Sequence, residues 1–440
     1  MQYNCSGQCS QCTVHKDGGT CPKITDMHIV QSYVLPFPVA CDSNKAGLGF
    51  VVDIGTTTIS LALLDLKTGK TLSTFSAVNS QRIYGIDVIT RINSAVQGKQ
   101  EELHTLINDD LRRGMRHILK TTGHLAEDVT RMVVTGNTTM LHLLHNLPCN
   151  TLGVAPFTPV DITRRTSQFD MLPNCEVLTL PSVSTFIGAD IVAGITCIGG
   201  FEASETRLLV DLGTNGEMAL LHNGRLWVTA TAAGPAFEAG NISQGVASIP
   251  GAITSVQFAH PISFIDYETI GNAPPVGICG TGVIEIVAEL VRNQMIDETG
   301  KLDPRFDHSV EITAGINFTQ GDIREVQLAK AAIRAGIEIL LEKAECTQND
   351  IFCVYLAGGF GNHLVPDNAA TLGMFPAQLA GKIRAVGNTA FGGAVMALIN
   401  ASAAAHMDEI AAKATEVSLA AHPKFNDMFT DFIGFPESEC

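Results

Sequence analysis

The run Leu48-Gly49-Phe50-Val51-Val52 is apolar and ends at Asp53; after Ile54-Gly55-Thr56-Thr57-Thr58 a second apolar run follows, from Ile59 to Leu66. The same order returns at Leu208-Leu209-Val210, Asp211-Leu212-Gly213-Thr214-Asn215-Gly216-Glu217 and Met218 to Leu221. Short apolar runs bounded by small polar residues are strands, so each passage predicts a β-hairpin. Helical spacing appears elsewhere: Glu101 to Leu119, Val283 to Val291, Ile323 to Ala344, and an alanine-rich stretch from Val395 to Ala420. Met132-Val133-Val134 and Val354-Tyr355-Leu356 predict further strands, and Phe425 to Phe435 is an aromatic tail. Strands and helices are interleaved, which gives an α/β chain, and the hairpins call for mixed rather than purely parallel sheets.

The two turns have chemistry to offer. Small residues leave backbone N–H groups and Thr hydroxyls uncovered, while Asp53 and Asp211 stand at the turn edges. Such a turn can hold a phosphate, and its Asp can hold Mg²⁺ or the ion's water shell. Asp-x-Gly-Thr is also the wording of an ordinary tight hairpin. Repetition in matching strand context favours phosphate binding, with two halves clasping one nucleotide.

A third element supports this. The strand ending at Ala357 runs into Gly358-Gly359-Phe360-Gly361, where missing Cβ atoms let the backbone approach a flat or anionic ligand. Gly280-Thr281-Gly282 opens a helical pattern and can bring a helix N-terminus to the same ligand, or simply be a loop-to-helix turn. No G-x-G-x-x-G and no G-x-x-x-x-G-K-[ST] is present, so neither a Rossmann nor a P-loop site is indicated. Asp190, Glu217 and Glu238 are the acidic candidates for further chemistry, although an acidic residue in a turn is also an ordinary helix cap.

Composition narrows the classes. The 440 residues suffice for two lobes with a large core. A net charge of −16 argues against non-specific nucleic-acid binding. No apolar stretch reads as a membrane span and the first residues are no secretory signal, so a cytoplasmic globular protein is expected. Of the 12 cysteines, Cys41, Cys149, Cys175, Cys197, Cys279, Cys346 and Cys353 are scattered, mostly in apolar surroundings, and read as reduced core thiols.

Cys5, Cys9, Cys12 and Cys21 differ in kind. Their spacing, C-x3-C-x2-C-x8-C, lets thiolates converge on one centre, either Zn²⁺ or an iron–sulfur cluster. The segment 1–47 has too few apolar side chains for its own core, so metal binding is favoured over a loose Cys-bearing tail.

Two D-x-G-T hairpins followed by a Gly-Gly motif resemble the superfamily of acetate and sugar kinases, heat-shock ATPases and actin (ASKHA). The wording is closer to one branch. Gly49 to Thr58, Val134 to Met140, Gly153-Val154-Ala155-Pro156-Phe157, Gly188-Ala189-Asp190, Asp211 to Glu217, Ala233 to Glu238 and Leu356 to Gly361 resemble, in order, the ATPase portion of reductive activators of corrinoid proteins.

That resemblance implies a two-lobed, duplicated ribonuclease-H-like (actin-like) ATPase fold with mixed sheets and a short Cys-rich extension. The expected divisions are 1–47 for the extension, 48–205 and 206–400 for the two lobes, and 401–440 for a C-terminal helix and tail packed on the ATPase body. It implies ATP and Mg²⁺ between the lobes, with Asp53, Asp211 and Glu217 in the chemistry. Gly55, Thr56, Thr57, Thr58, Gly213, Thr214, Asn215 and Gly216 would receive the phosphates. Gly280, Thr281, Gly282, Gly358, Gly359, Phe360 and Gly361 would complete the nucleotide site.

The implied function is ATP-driven reduction of a partner corrinoid protein from Co(II) to Co(I) in methyl transfer. An activator ATPase of the acyl-CoA dehydratase type and a non-redox regulatory ATPase remain alternatives, and a homodimer remains open. Fuller corrinoid activators carry a ferredoxin-like [2Fe–2S] domain with a C-x5-C-x2-C core. Here the first spacer is three residues and the extension is too short for that fold. A compact four-Cys site or an external electron donor must then serve.

Overall fold

The computed structural model describes residues 35–36, 41, 46–202, 204–258, 265–358 and 365–436. Strand β1 (Leu48–Ile54) turns into β2 (Thr58–Asp65), and β3 (Thr71–Val78) pairs on its far side. Nearly every residue of β1 is buried, which explains its unbroken apolar wording: both sheet faces are covered. β4 (Val129–Gly136) lies parallel to β1, and β5 (Arg165–Ser167) and β6 (Glu176–Thr179) complete a sheet of order β3-β2-β1-β4-β6-β5.

The second sheet repeats the plan. β7 (Thr206–Leu212), β8 (Gly216–His222) and β9 (Arg225–Thr231) form an antiparallel meander. Three short strands, β10 (Ala252–Phe258), β11 (Ile265–Thr269) and β12 (Gly277–Ile278), form a side sheet, and β13 (Ser309–Thr313) pairs with β14 (Ile316–Thr319). β15 (Ile351–Gly358) and β16 (Ile383–Gly387) then join β7 in parallel, and β17 (Thr415–Glu416) closes the opposite edge. The cores β3-β2-β1-β4-β6 and β9-β8-β7-β15-β16 have the same order and the same strand senses. The mixed sheets are those expected from the hairpins, and the duplicated arrangement is the actin-like fold that the family resemblance implies.

In chain order the helices that matter are α1 (Val88–Ser94), α2 (Gln100–Thr122), α3 (Thr138–Leu144), α4 (Ala189–Cys197), α5 (Gly280–Arg292), α6 (Gln320–Ala344), α7 (Thr389–Ile399), α8 (Ala401–Lys413) and α9 (Phe425–Asp431). α2 buries Leu103, Ile107, Leu111, Met115 and Ile118, one face at helical spacing, against the first sheet. α6 begins with a capping box, Thr319 with Asp322, and lies on the second sheet.

α4 and α7 are apolar nearly all round because they are packed on every side. They cross closely: a Cβ on Gly393 would stand 2.0 Å from the Ala193 carbonyl oxygen, so no side chain fits there. α7 also packs on β1 and β4, while Leu209, Ala219 and Val228 of the second sheet share one core with Val51 and Val134 of the first. The α4–α7 layer therefore ties the two sheets together.

The alanine-rich stretch is not one helix. Asn400 takes extended dihedrals, φ −129° and ψ 117°, ending α7, and its side chain caps α8 through Ser402 N at 2.9 Å. After Lys413 the chain becomes β17 rather than continuing helical to Ala420. The aromatic tail contains α9, which packs on α6. There the Lys330 ammonium donates to the Phe432 and Gly434 carbonyls.

Candidate functional site

A cleft of about 180 Å³ opens between the two hairpin turns. Asp53, Gly55, Thr56, Thr57 and Thr58 line it from the first sheet. Asp211, Gly213, Thr214, Asn215 and Glu217 line it from the second, with Gly280 and Gly358 beside them. The two repeated motifs thus meet at one place, as expected.

The first turn is oriented from behind. The Asn79 side chain donates to the Gly55 carbonyl at 2.9 Å, and the Asn79 backbone N–H donates to the Thr57 carbonyl at 2.9 Å. Arg91 donates through Nη2 to the Thr56 carbonyl between them. Asn79 and Arg91 are both fully buried and neither lines the cleft. In a planar trans peptide, C=O and N–H point in opposite directions. With all three carbonyls drawn into the protein, the amides of Thr56, Thr57 and Thr58 are turned toward the cleft. Asn137 donates to the Thr56 hydroxyl at 3.0 Å and fixes that side chain as well.

Helix N-termini converge on the same space. Asp190 is in the first turn of α4, Asn388 is the N-cap of α7, and Gly280 begins α5; all three line the cleft. Positive helix ends favour an anion there. Gly188 makes this convergence feasible, since a Cβ would lie 2.6 Å from Asn137 Cα.

Five carboxyl groups face the cleft: Asp53, Asp190, Asp211, Glu217 and Glu238. Burial pushes Asp53 up to about 6, against the hydrogen bond from Asn388. Burial, then the nearby Asp53, raises Asp190 to about 7. Burial, then Asp190, Asp53 and Glu238, raises Asp211 to about 8. Glu217, opposite Asp211 in the β7–β8 pair, is pushed well above the usual range by burial and by Asp190 and Asp211. Glu238 is raised by burial although it accepts from the Thr214 hydroxyl at 2.6 Å.

No Lys or Arg is among the described residues lining the cleft. Crowded, desolvated carboxylates without a counter-charge fit a divalent cation. Among the described residues, no group of three or more His, Cys, Asp or Glu side chains is placed to grip an ion directly. Mg²⁺ keeps several of its waters and binds through phosphate oxygens, so carboxylates of this kind suit it beside a bound nucleotide.

Some expected residues lie elsewhere. Gly216, Thr281 and Gly282 are buried just behind the cleft wall; a Cβ on Gly216 would meet Ile333, and one on Gly282 the Ile253 carbonyl. Gly359, Phe360 and Gly361 lie outside the described residues, as do Cys5, Cys9, Cys12 and Cys21. Asn388 and the segment Val246-Ala247-Ser248 line the cleft without having been anticipated. The Asn-Thr start of α7 signals a helix cap in sequence, but not that the cap would reach Asp53.

Comparison with known proteins gives a consistent set of relatives. Residues 205–440 match the family model described as the C-terminal domain of RACo, the ASKHA domain, and residues 48–200 match the RACo middle region. The chain is 32% identical to "Corrinoid activation enzyme RamQ" of Eubacterium limosum, over 92% of this chain and 75% of that protein. It is 28% identical to "[Co(II) methylated amine-specific corrinoid protein] reductase" of Methanosarcina barkeri, over 87% of this chain and 76% of that one. Among solved structures, "Reductive activator for corrinoid,iron-sulfur protein" superposes with a TM-score of 0.82 at 32% identity, covering 90% of this chain and 67% of the other.

Proposed function

The chain belongs to the RACo family of corrinoid-protein activators, and from that premise we propose that it uses ATP to drive reduction of a partner corrinoid protein from Co(II) to Co(I). The observation that carries this reading is the convergence of both hairpin turns on one cleft whose first turn presents its amides inward.

In this reading the phosphates lie against Thr56–Thr58 and Gly213–Asn215, under the N-termini of α4, α5 and α7. Asp53 and Asp211 would hold a Mg²⁺ ion or its waters, and the ion would supply positive charge to the phosphates and the carboxylate cluster. Glu217, the remaining strand-borne carboxylate at the cleft, accepts the proton of the attacking water when ATP is cleaved. Because the turns belong to different sheets, a triphosphate that bridges them favours a closed arrangement, and its loss releases that arrangement. The cobalt belongs to the partner and is the substrate of the electron transfer. ATP binding and cleavage shift the conformation in which an otherwise unfavourable electron reaches it.

The electron comes either from a separate donor protein or through a four-thiolate centre at Cys5, Cys9, Cys12 and Cys21. Four thiolates suit an iron–sulfur cluster or Zn²⁺ equally, and only the cluster carries electrons. Among the described residues no helix is long and apolar enough to cross a membrane. We place the protein in the cytoplasm, beside its corrinoid partner. The reading is tested by Mg·ATP binding and by ATP turnover with and without a corrinoid protein. Binding by the wild type, and loss of turnover in Asp211→Ala with the fold intact, are expected. Unchanged turnover in that variant contradicts the site.

A further inference from the structure

Arg91 sits on α1, a helix begun by the Asp87–Thr90 capping box, and its side chain is fully enclosed. It donates to the Thr56 carbonyl, to the Gly85 carbonyl at 2.9 Å, to Gln81 Oε1 at 3.3 Å and to Met140 Sδ at 3.2 Å. Every one of these acceptors is neutral, and among the described residues no carboxylate accepts a hydrogen bond from this guanidinium. Burying a cation with no carboxylate in direct contact is costly, and an apolar side chain of the same length would fill the space more cheaply. Burial, then the nearby Arg82, lowers Arg91 only to about 10 while Asp87 and Asp110 favour its charge from beyond contact distance, so it remains charged at neutral pH. The cleft on the other side of the Thr56 peptide has five carboxyl groups and no described basic residue in its lining.

We propose that Arg91 is the positioning residue of the first phosphate turn: it locks the Thr56–Thr57 peptide with its N–H toward the cleft and sets a positive charge directly behind the phosphate seat. Asn79 secures the peptides on either side, and among the described residues Arg91 is the side chain that donates to the middle carbonyl. A free turn would have to pay for that orientation when ligand arrives; here it is fixed beforehand. The guanidinium acts across one peptide layer shielded from water, where charge is weakly screened. The cost of its burial, met in part by Asp87 and Asp110, is further offset when a polyphosphate occupies the cleft. This inference rests on the nucleotide reading above and assigns the part of the chain that recognises the phosphates.

The test uses the full-length protein with Mg·ATP in titration calorimetry, adenosine by displacement of a fluorescent nucleotide, and amide hydrogen exchange. Arg91→Met keeps the length of the side chain without charge or donors, and Arg91→Lys keeps the charge. Affinity for Mg·ATP should fall by at least about tenfold in Arg91→Met, the scale of losing a charged hydrogen bond, with adenosine little affected. Arg91→Lys should lie between that variant and the wild type. Unchanged ATP affinity in Arg91→Met overturns the proposal, as does an equal loss for ATP and adenosine. Should Arg91→Met fail to fold, exchange in the wild type decides: the amides of Thr56–Thr58 should slow on adding Mg·ATP. Unslowed amides in a protein that binds ATP overturn the proposal. A wild type that does not bind Mg·ATP at all refutes the nucleotide reading itself.

Discussion

Asn388 donates a 2.6 Å hydrogen bond to the carboxylate of Asp53, across 335 positions of sequence. It joins the N-cap of α7 to the edge of β1, so the helix layer between the sheets is fastened to the first phosphate turn. Replacing Asn388 with Leu removes the donor and leaves Asp53 facing an apolar group. The Asp53 carboxyl should rise further, and Mg·ATP affinity should fall by about tenfold, as for loss of a hydrogen bond to a charged group. Titration calorimetry at pH 7 checks this, and an unaltered affinity contradicts the role given to this pair.

Asp211 shows what a binding site costs a ligand-free protein. Its charge is opposed by burial and by Asp190, Asp53 and Glu238. Asp211→Asn should therefore raise the thermal midpoint of the ligand-free protein at pH 8 while abolishing stabilisation by Mg·ATP. Thermal denaturation with and without Mg·ATP reads both effects. A variant that Mg·ATP still stabilises as it does the wild type would contradict the site.

The same carboxyl groups set a pH dependence. Asp53, Asp190 and Asp211 are raised from 3.8 to about 6, 7 and 8, so the folded state holds protons that the unfolded chain releases. Their stabilising contribution is complete below the unfolded value and is lost as pH rises through the folded values. Ligand-free stability should fall between pH 6 and 8, and saturating Mg·ATP should flatten the fall. Midpoints measured across that range test the sign. A rise with pH, or a slope indifferent to ligand, would be the wrong outcome.

How much of this could be read from sequence depends on whether the signal is local. Both hairpins and the Asp at each turn were legible because strand, turn residue and carboxylate lie within a few positions. The duplicated fold follows from that repetition. The break at Asn400 was lost in an alanine-rich run, although Asn before Ser402 is a cap signal that overrides helix propensity. Asn388, Arg91 and Val246-Ala247-Ser248 belong to the site only through tertiary packing, which no spacing along the chain records. Gly216 and Gly282 resembled ligand-facing glycines, yet they make room for Ile333 and for the Ile253 carbonyl.

The α4–α7 crossing gives an independent stability prediction. Gly393→Ala would force a methyl group against the Ala193 backbone and should destabilise the protein by about 1–3 kcal/mol. Gly381→Ala, with open space around its Cβ, is the control. Denaturant unfolding of the two variants compares them, and equal midpoints would contradict the close helix contact.

The N-terminal cysteines call for metal analysis of anaerobically purified protein beside a Cys9→Ser, Cys12→Ser double variant. Iron and sulfide lost in the variant would put an electron carrier in this chain. Zinc lost instead would make the extension structural, with reduction left to an external donor. No metal in either protein contradicts the four-thiolate centre.

ATP-driven reduction of cobalt can be followed optically. Its most direct measurement is the anaerobic spectrum of a cognate Co(II) corrinoid protein mixed with this protein and a low-potential electron donor, followed before and after adding Mg·ATP. Co(I) should accumulate only with ATP and the wild-type chain, and not with Asp211→Asn. Equal Co(I) formation without ATP, or none with it, would contradict ATP-driven reduction by this protein.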